Sequence, residues 1–175
     1  MSRNRYNGKI RNVNGQKARA SKKTMAIISV CAIILGIFIT AQEYLDRHTR
    51  ASLAARTAVT EALDSVSEAI PGYVETLKKD SDDAKTLTQA AELLSSDTFS
   101  EKSDAYRSVA SVLANHSSDK SKSAEALKEA LETAEDAAVA YNQEAQAVNE
   151  KIVKFPYNIV ARIGGYSEFI IFSLN

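Results

Sequence analysis

The chain is poor in the residues that build covalent and metal sites. Among its 175 residues it has no tryptophan, one cysteine (Cys31) and two histidines (His48 and His116). A single cysteine excludes an intrachain disulfide and a cysteine-based metal site. The histidines stand 68 positions apart, and neither has a second ligand three or four residues away, so surface roles are favoured over metal binding.

Other sequence motifs of catalytic and ligand-binding sites are also missing. No serine has a nearby histidine base or a glycine-rich elbow, no inward Glu-x-x-His pair suggests a di-metal bundle, and no glycine pattern suggests phosphate binding. We therefore predict no catalytic residue, no cofactor, no metal ligand and no enzymatic activity.

Residues that break helices are scarce too. Two prolines and six glycines in a chain rich in Ala, Glu, Lys and Leu favour helix throughout. The predicted class is all-α.

Charge is strongly segregated, although the formal net charge is zero. Residues 1–23 hold eight Lys/Arg and no acid, and the remainder has eight more acidic than basic residues. We interpret residues 1–23 as a disordered basic arm that signals membrane topology. Binding to nucleic acid or anionic lipid is the alternative, but aromatic residues do not interleave with the charges, so we predict no nucleic-acid partner.

An uncharged apolar run follows the arm. Residues 25–41 contain no charge and span about 26 Å as a helix, so with Thr24 they predict one transmembrane helix over residues 24–41. A cleaved signal peptide, a lipoprotein signal and a pilin-like leader each fit less well, because their processing signals are poorly matched. The excess of basic residues before the run predicts a single-pass cell-membrane protein with a cytoplasmic N-terminus and an extracytoplasmic domain.

The longest amphipathic pattern covers Ser123 to Phe155. Apolar residues recur there at alternating steps of 4 and 3, which places them on one stripe of a helix about 50 Å long. The stripe consists of Leu127, Leu131, Ala134, Ala138, Tyr141, Ala145, Val148, Ile152 and Phe155. Such a helix cannot bury its stripe alone, so the chain must supply partner helices.

Three further helical patterns precede it. Residues 42–78 show a similar stripe, from Ala55 to Leu77, that Pro71 interrupts, and Ser81-Asp82-Asp83 favours a new helix start over one helix continuing to residue 96. Thr98 and Glu101 have the spacing of a capping box, opening a helix that ends before a polar connector at residues 115–119.

The predicted organisation is therefore a basic tail (1–23), a membrane span (24–41), a helical bundle (42–163) and an apolar C-terminal tail (164–175). Residues 169–172 are too few to span a bilayer. Packing on the bundle end and contact with lipid remain open for them.

Two stretches resemble the LemA family of single-pass bacterial membrane proteins. Residues 70–77, Ile-Pro-Gly-Tyr-Val-Glu-Thr-Leu, are similar to the family's Ile-Pro-x-Leu-Val-x-x-Val element. Residues 140–149 and 154–161 are similar to its paired Tyr-Asn dipeptides and its Phe-Pro-x-Asn-x-x-Ala motif. Val148 replaces the second Tyr, Gly164 replaces an aromatic residue, and the family's Tyr-Pro element, Arg pair and Trp are missing, which makes the chain a divergent member.

The resemblance implies an antiparallel up-and-down four-helix bundle beside the membrane, without established catalysis, and weakly suggests association with membrane peptidases. The motif residues are expected to be structural: Tyr141 needs a partner for its hydroxyl, and the asparagines are expected to bond backbone at the Phe155-Pro156 corner and fix how the tail folds back. They are Ile70, Pro71, Tyr141, Asn142, Asn149, Phe155, Pro156 and Asn158.

The predicted function is that of a protein-interaction or scaffold module at the bacterial cell envelope, with an unidentified protein partner or a second copy of itself. An envelope sensor signalling through the basic tail and, less favoured, an enzyme are the alternatives.

Overall fold

The computed structural model describes residues 22–78 and 80–174, and every regular element within them is an α-helix. The helices are α1 (Lys22–Val74), α2 (Asp82–Leu94), α3 (Phe99–Asn115), α4 (Lys122–Ile152) and α5 (Tyr157–Gly164). The predicted all-α class is confirmed. The predicted basic arm lies outside the described residues, except for Lys22 and Lys23, which begin α1.

The chain divides into two compact units, the first of which ends at Ile37. Its described residues, 22–37, form one helical segment whose apolar side chains are exposed. By length and composition, α1 is the one helix among the described residues that is able to cross a membrane.

The second unit begins at Phe38 and holds the core. Side chains from α1, α2, α3 and α4 form one apolar cluster, to which the predicted stripe of α1 contributes Val59, Ala62, Val66, Ile70 and Tyr73. The predicted break after this helix is confirmed. The helix α1 ends at Val74, and the hydroxyl of Ser81 accepts a hydrogen bond from the Ala84 amide at the start of α2.

The long helix α4 buries its predicted stripe from Leu127 to Val148. The prediction fails at its end. Because α4 stops at Ile152, Phe155 lies beyond the last turn, where helical phase no longer determines direction, and its side chain is 73% exposed.

The start of α3 also differs from the prediction. Thr98 is the N-cap residue, but its side chain makes no capping bond. Ser96 supplies the polar group instead: its hydroxyl accepts a hydrogen bond from the Thr98 amide at 3.0 Å and pairs with Glu101. The predicted capping box is therefore wrong, because Ser96 and not Thr98 pairs with Glu101. The helix nevertheless begins where the motif indicates.

A non-helical segment, residues 166–174, follows α5 and returns to the core. Phe172 is 1% exposed and belongs to the main apolar cluster, whereas Ile170 and Ile171 face solvent. The sequence leaves residues 169–172 open between packing on the bundle end and contact with lipid. Their two phenylalanines pack on the helices. We call residues 166–174 the tail.

Candidate functional site

The tail is held by polar side chains on one side of α4. Asn142 and Asn149 stand seven residues apart, two helical turns, and so lie on nearly the same face of the helix. Both are partly buried beside the apolar stripe. This placement lets their amides reach a chain that lies along the helix.

Each asparagine clamps one tail residue through two hydrogen bonds. The Asn142 side chain accepts from the Phe172 amide and donates to the Phe172 carbonyl, both at 2.8 Å. Asn149 makes the same pair with Phe169, also at 2.8 Å. A side-chain amide that bonds both N–H and C=O of one residue reproduces the pairing that a neighbouring β-strand would offer.

The spacing of the two clamps determines how the tail lies. Seven helical residues advance about 10.5 Å, and three residues of extended chain advance about 10 Å. Phe169 and Phe172 can therefore meet Asn149 and Asn142 together only if the tail is nearly extended between them. Since the higher-numbered tail residue meets the lower-numbered asparagine, the tail runs antiparallel to α4.

Two hydroxyls complete the polar contacts. Tyr141 donates to the Ile170 carbonyl at 2.6 Å. Ser103 of α3 donates to the Ser173 carbonyl at 2.8 Å and accepts from its amide at 2.9 Å. All seven of these bonds address tail backbone, so they do not depend on which side chains the tail carries.

The Phe172 side chain lies in an aromatic pocket. The Phe172 ring packs edge-on against Phe99, with centroids 5.3 Å apart, and against Tyr106 at 5.8 Å. The Phe99 ring also contacts the Tyr141 ring, with centroids 5.0 Å apart, and the Arg56 guanidinium lies 4.7 Å from the centroid of Phe99. Edge-to-face packing of this kind stabilises a buried aromatic ring beyond its area alone.

Burial changes the acidity of the tyrosines in this pocket. Loss of water contact raises the pKa of Tyr141, while the positive charge of Arg56 partly opposes the change. Burial, with the nearby Glu135 carboxylate, raises the pKa of Tyr106 to about 12. Both hydroxyls therefore stay protonated through the physiological range, and Tyr141 remains a donor to the tail.

We define the groove as Ser103, Tyr141, Asn142 and Asn149 with the aromatic pocket that receives Phe172. It gives three of the predicted motif residues a common partner. The asparagines bond backbone, as expected, but the backbone of Phe169 and Phe172 instead of the Phe155-Pro156 corner.

The remaining motif residues lie elsewhere. Ile70 is buried in the core, and Pro71 occupies the last turn of α1, which ends three residues later. Phe155 and Pro156 lie between α4 and α5, and the side chain of Asn158 is exposed.

Sequence reasoning missed Ser103, and it left Phe172 between packing on the bundle end and contact with lipid. Ser103 lies four residues after Phe99 and three before Tyr106, so a face through these three positions would have shown a small polar residue turned inward. Phe172 gave no periodic signal, because the tail has no regular structure of its own.

A depression of about 300 Å³ is lined in part by His116, Glu132 and Glu135. His116 pairs with Asp83 at 2.9 Å, and Glu132 with Lys128 at 3.7 Å. Across residues 22–78 and 80–174, no group of three or more His, Cys, Asp or Glu side chains is placed to hold a metal ion.

Comparisons with protein-family models, with characterised proteins and with solved structures give no match to the chain. The groove geometry and the sequence pattern therefore carry the functional argument.

Proposed function

We propose that the chain is a membrane-anchored helical-bundle protein of the bacterial cell envelope, a divergent LemA relative, that acts through contacts with other proteins. In this proposal the N-terminus is cytoplasmic and the second unit is extracytoplasmic. The apolar run and the basic residues before it support this topology.

We also propose that α1 from Phe38 onward, α2, α3 and α4 form an antiparallel up-and-down bundle. The connections from α2 to α3 (residues 95–98) and from α3 to α4 (residues 116–121) are short, which favours neighbouring antiparallel helices. All four contribute side chains to one core.

The observation that carries the functional proposal is the groove. It is built to hold a polypeptide backbone in extended form, and it selects an aromatic side chain at the position of Phe172. A peptide bound through its main chain, with a pocket for particular side chains, is a recurrent mode of protein recognition. The partner in this proposal presents an extended segment with two aromatic residues three positions apart, as the tail of a second copy does.

The test uses the full-length chain in lipid nanodiscs and a fluorescent peptide with the sequence of residues 166–174. The wild-type groove is occupied by its own tail. Phe172→Ala weakens that occupancy, so the variant should bind the peptide more tightly in a fluorescence-anisotropy titration. Ile171→Ala, on the exposed side of the tail, is the matched control and should behave like wild type.

Specificity is tested in the same assay. Adding Asn142→Ala and Asn149→Ala to the Phe172→Ala chain should abolish binding, as should replacing both phenylalanines of the peptide by alanine. A peptide that does not bind the Phe172→Ala chain, or that binds it without the asparagines, would contradict the proposal. Circular dichroism of each variant verifies that the helices are retained.

A further inference from the structure

Large apolar side chains are exposed around α5. Phe155 is 73% and Ile163 81% exposed, and Val153 and Ile159 are also open to solvent. Ile159 and Ile163 are one helical turn apart and share the outer face of α5, while Val160 and Ala161 pack inward. We call the exposed Ile159 and Ile163 of α5, with the exposed Val153 and Phe155 that precede the helix, the α5 apolar face.

The inner face of α5 fixes its position along α1. Val160 and Ala161 form a small core cluster with Ala41, Leu45 and Val148, against which Phe38 and Tyr44 also pack. Phe38 and Ala41 are among the last residues of the uncharged apolar run. Residues 38 to 45 rise only about 10 Å along a helix, so α5 lies level with the point where the run gives way to polar sequence.

Charge around α5 differs from the rest of the unit. Residues 151–166 carry three basic residues, Lys151, Lys154 and Arg162, and no acid, although the chain beyond residue 23 holds all 22 acidic residues. The Asp46 carboxylate of α1 accepts a hydrogen bond from the Tyr166 hydroxyl at the end of this segment, so basic groups outnumber acidic ones there by three to one. The local charge is complementary to anionic lipid headgroups.

Aromatic residues add to this pattern. Tyr44 and Tyr157 pack edge-on with centroids 5.4 Å apart, and the Lys151 ammonium lies 5.4 Å from the Tyr157 ring. Tyrosines and lysines of this kind are typical of the membrane–water boundary, where an apolar body meets acyl chains and a polar end meets water.

We infer that the α5 apolar face inserts into the bilayer surface on the side of the membrane where the apolar run ends. Phe155 and Ile163 enter the outer edge of the acyl chains, and Lys154 and Arg162 contact anionic lipid phosphates, as in helices that lie in the membrane interface. This inference rests on the membrane anchor of the proposed function. It gives the second unit an attachment of its own to lipid.

The test measures depth in the membrane with single nitroxide labels on the full-length chain, in liposomes of neutral and anionic phosphatidyl lipids. In a Cys31→Ser background, labels are placed by Phe155→Cys and Ile163→Cys. Leu35→Cys, within the apolar run, is the lipid control, and Leu93→Cys, exposed on α2, is the water control. Power saturation with oxygen and a water-soluble nickel complex reports depth at each site.

Labels at 155 and 163 should collide more with oxygen than with the nickel complex, which places them in lipid. Their depth in the bilayer should be smaller than that of the label at 35, and the label at 93 should stay in water. Labels at 155 and 163 in water, with the label at 35 in lipid, would overturn this inference alone. A label at 35 in water would overturn the anchor, and this inference with it.

A second arm tests the charge. Lys154→Glu with Arg162→Glu should move the labels at 155 and 163 toward water in anionic liposomes, and Lys128→Glu, exposed on α4, should not. Equal depth with and without the charge reversal would overturn the assignment of these basic residues to lipid phosphates.

Discussion

Replacing Asn142 by alanine should release the end of the tail while leaving the helices intact. The change removes two neutral hydrogen bonds, both to Phe172 and both 2.8 Å long. Each such bond contributes about 1 kcal/mol net, so the bound tail loses about 2 kcal/mol relative to the detached tail. At 1.4 kcal/mol per factor of ten, local opening becomes about 30-fold more frequent.

Hydrogen exchange measured by mass spectrometry on the full-length chain is the direct assay, because exchange of hydrogen-bonded amides follows local opening. Exchange at the Ser173 amide, which keeps its acceptor Ser103 in the variant, should accelerate by about 30-fold, and exchange within α2 should stay unchanged. Asn158→Ala is the matched control, since this asparagine is exposed and its substitution should leave tail exchange within about twofold.

Two results would refute the reasoning. Unchanged exchange at Ser173 would mean that the clamp contributes nothing to holding the tail. Equal acceleration in α2 and in the tail would mean that the tail opens only with global unfolding, so that the groove has no separate opening step.

Three further predictions concern stability. Phe172→Ala should lower the free energy of unfolding by about 3–5 kcal/mol, because it empties a buried pocket, whereas Ile171→Ala on the exposed side should cost under about 1 kcal/mol; thermal melts followed by circular dichroism compare them. Ser121→Ala should cost about 1 kcal/mol through the lost cap of α4, and Thr98→Ala should cost much less, because its hydroxyl caps nothing; equal losses in urea titrations would contradict the cap geometry. Burial and a hydrogen bond to the Asp46 carboxylate raise the pKa of the Tyr166 hydroxyl to about 12, so its contribution to the free energy of unfolding is complete below pH 10 and is lost as pH rises toward 12. Tyr166→Phe should remove this alkaline loss of stability in thermal melts, and it should remove one late step from the ultraviolet titration of the tyrosines.

The helical framework was predictable because its signals are local and periodic. The stripe of α4 from Leu127 to Val148, the start of α2 after Ser81 and the end of α3 at Asn115 each follow from residues a few positions apart. The periodic pattern gave a wrong prediction where the helix ends. Phe155 continues the spacing of the stripe, but it lies beyond the last residue of α4, so the spacing no longer determines which way its side chain points.

The groove was only half predictable. The polar groups of Tyr141, Asn142 and Asn149 beside an apolar stripe required partners, and the sequence showed that much. The partners lie 20 to 30 residues away in a segment without regular structure, so no spacing rule connects them. Ser103 reaches across 70 residues, and only the packed structure shows what it bonds.

The place of Phe172 in the core has a consequence for synthesis. Translation delivers α1 through α4 well before residue 172, and newly made domains assemble from the N-terminal side as they emerge. Until then the ring of Phe99 lacks its edge-on contact with the ring of Phe172. A nascent chain halted after α5, or a product clipped within the tail, would therefore keep its helices but expose the apolar side chains that Phe172 covers, which makes it prone to aggregation and to proteolysis.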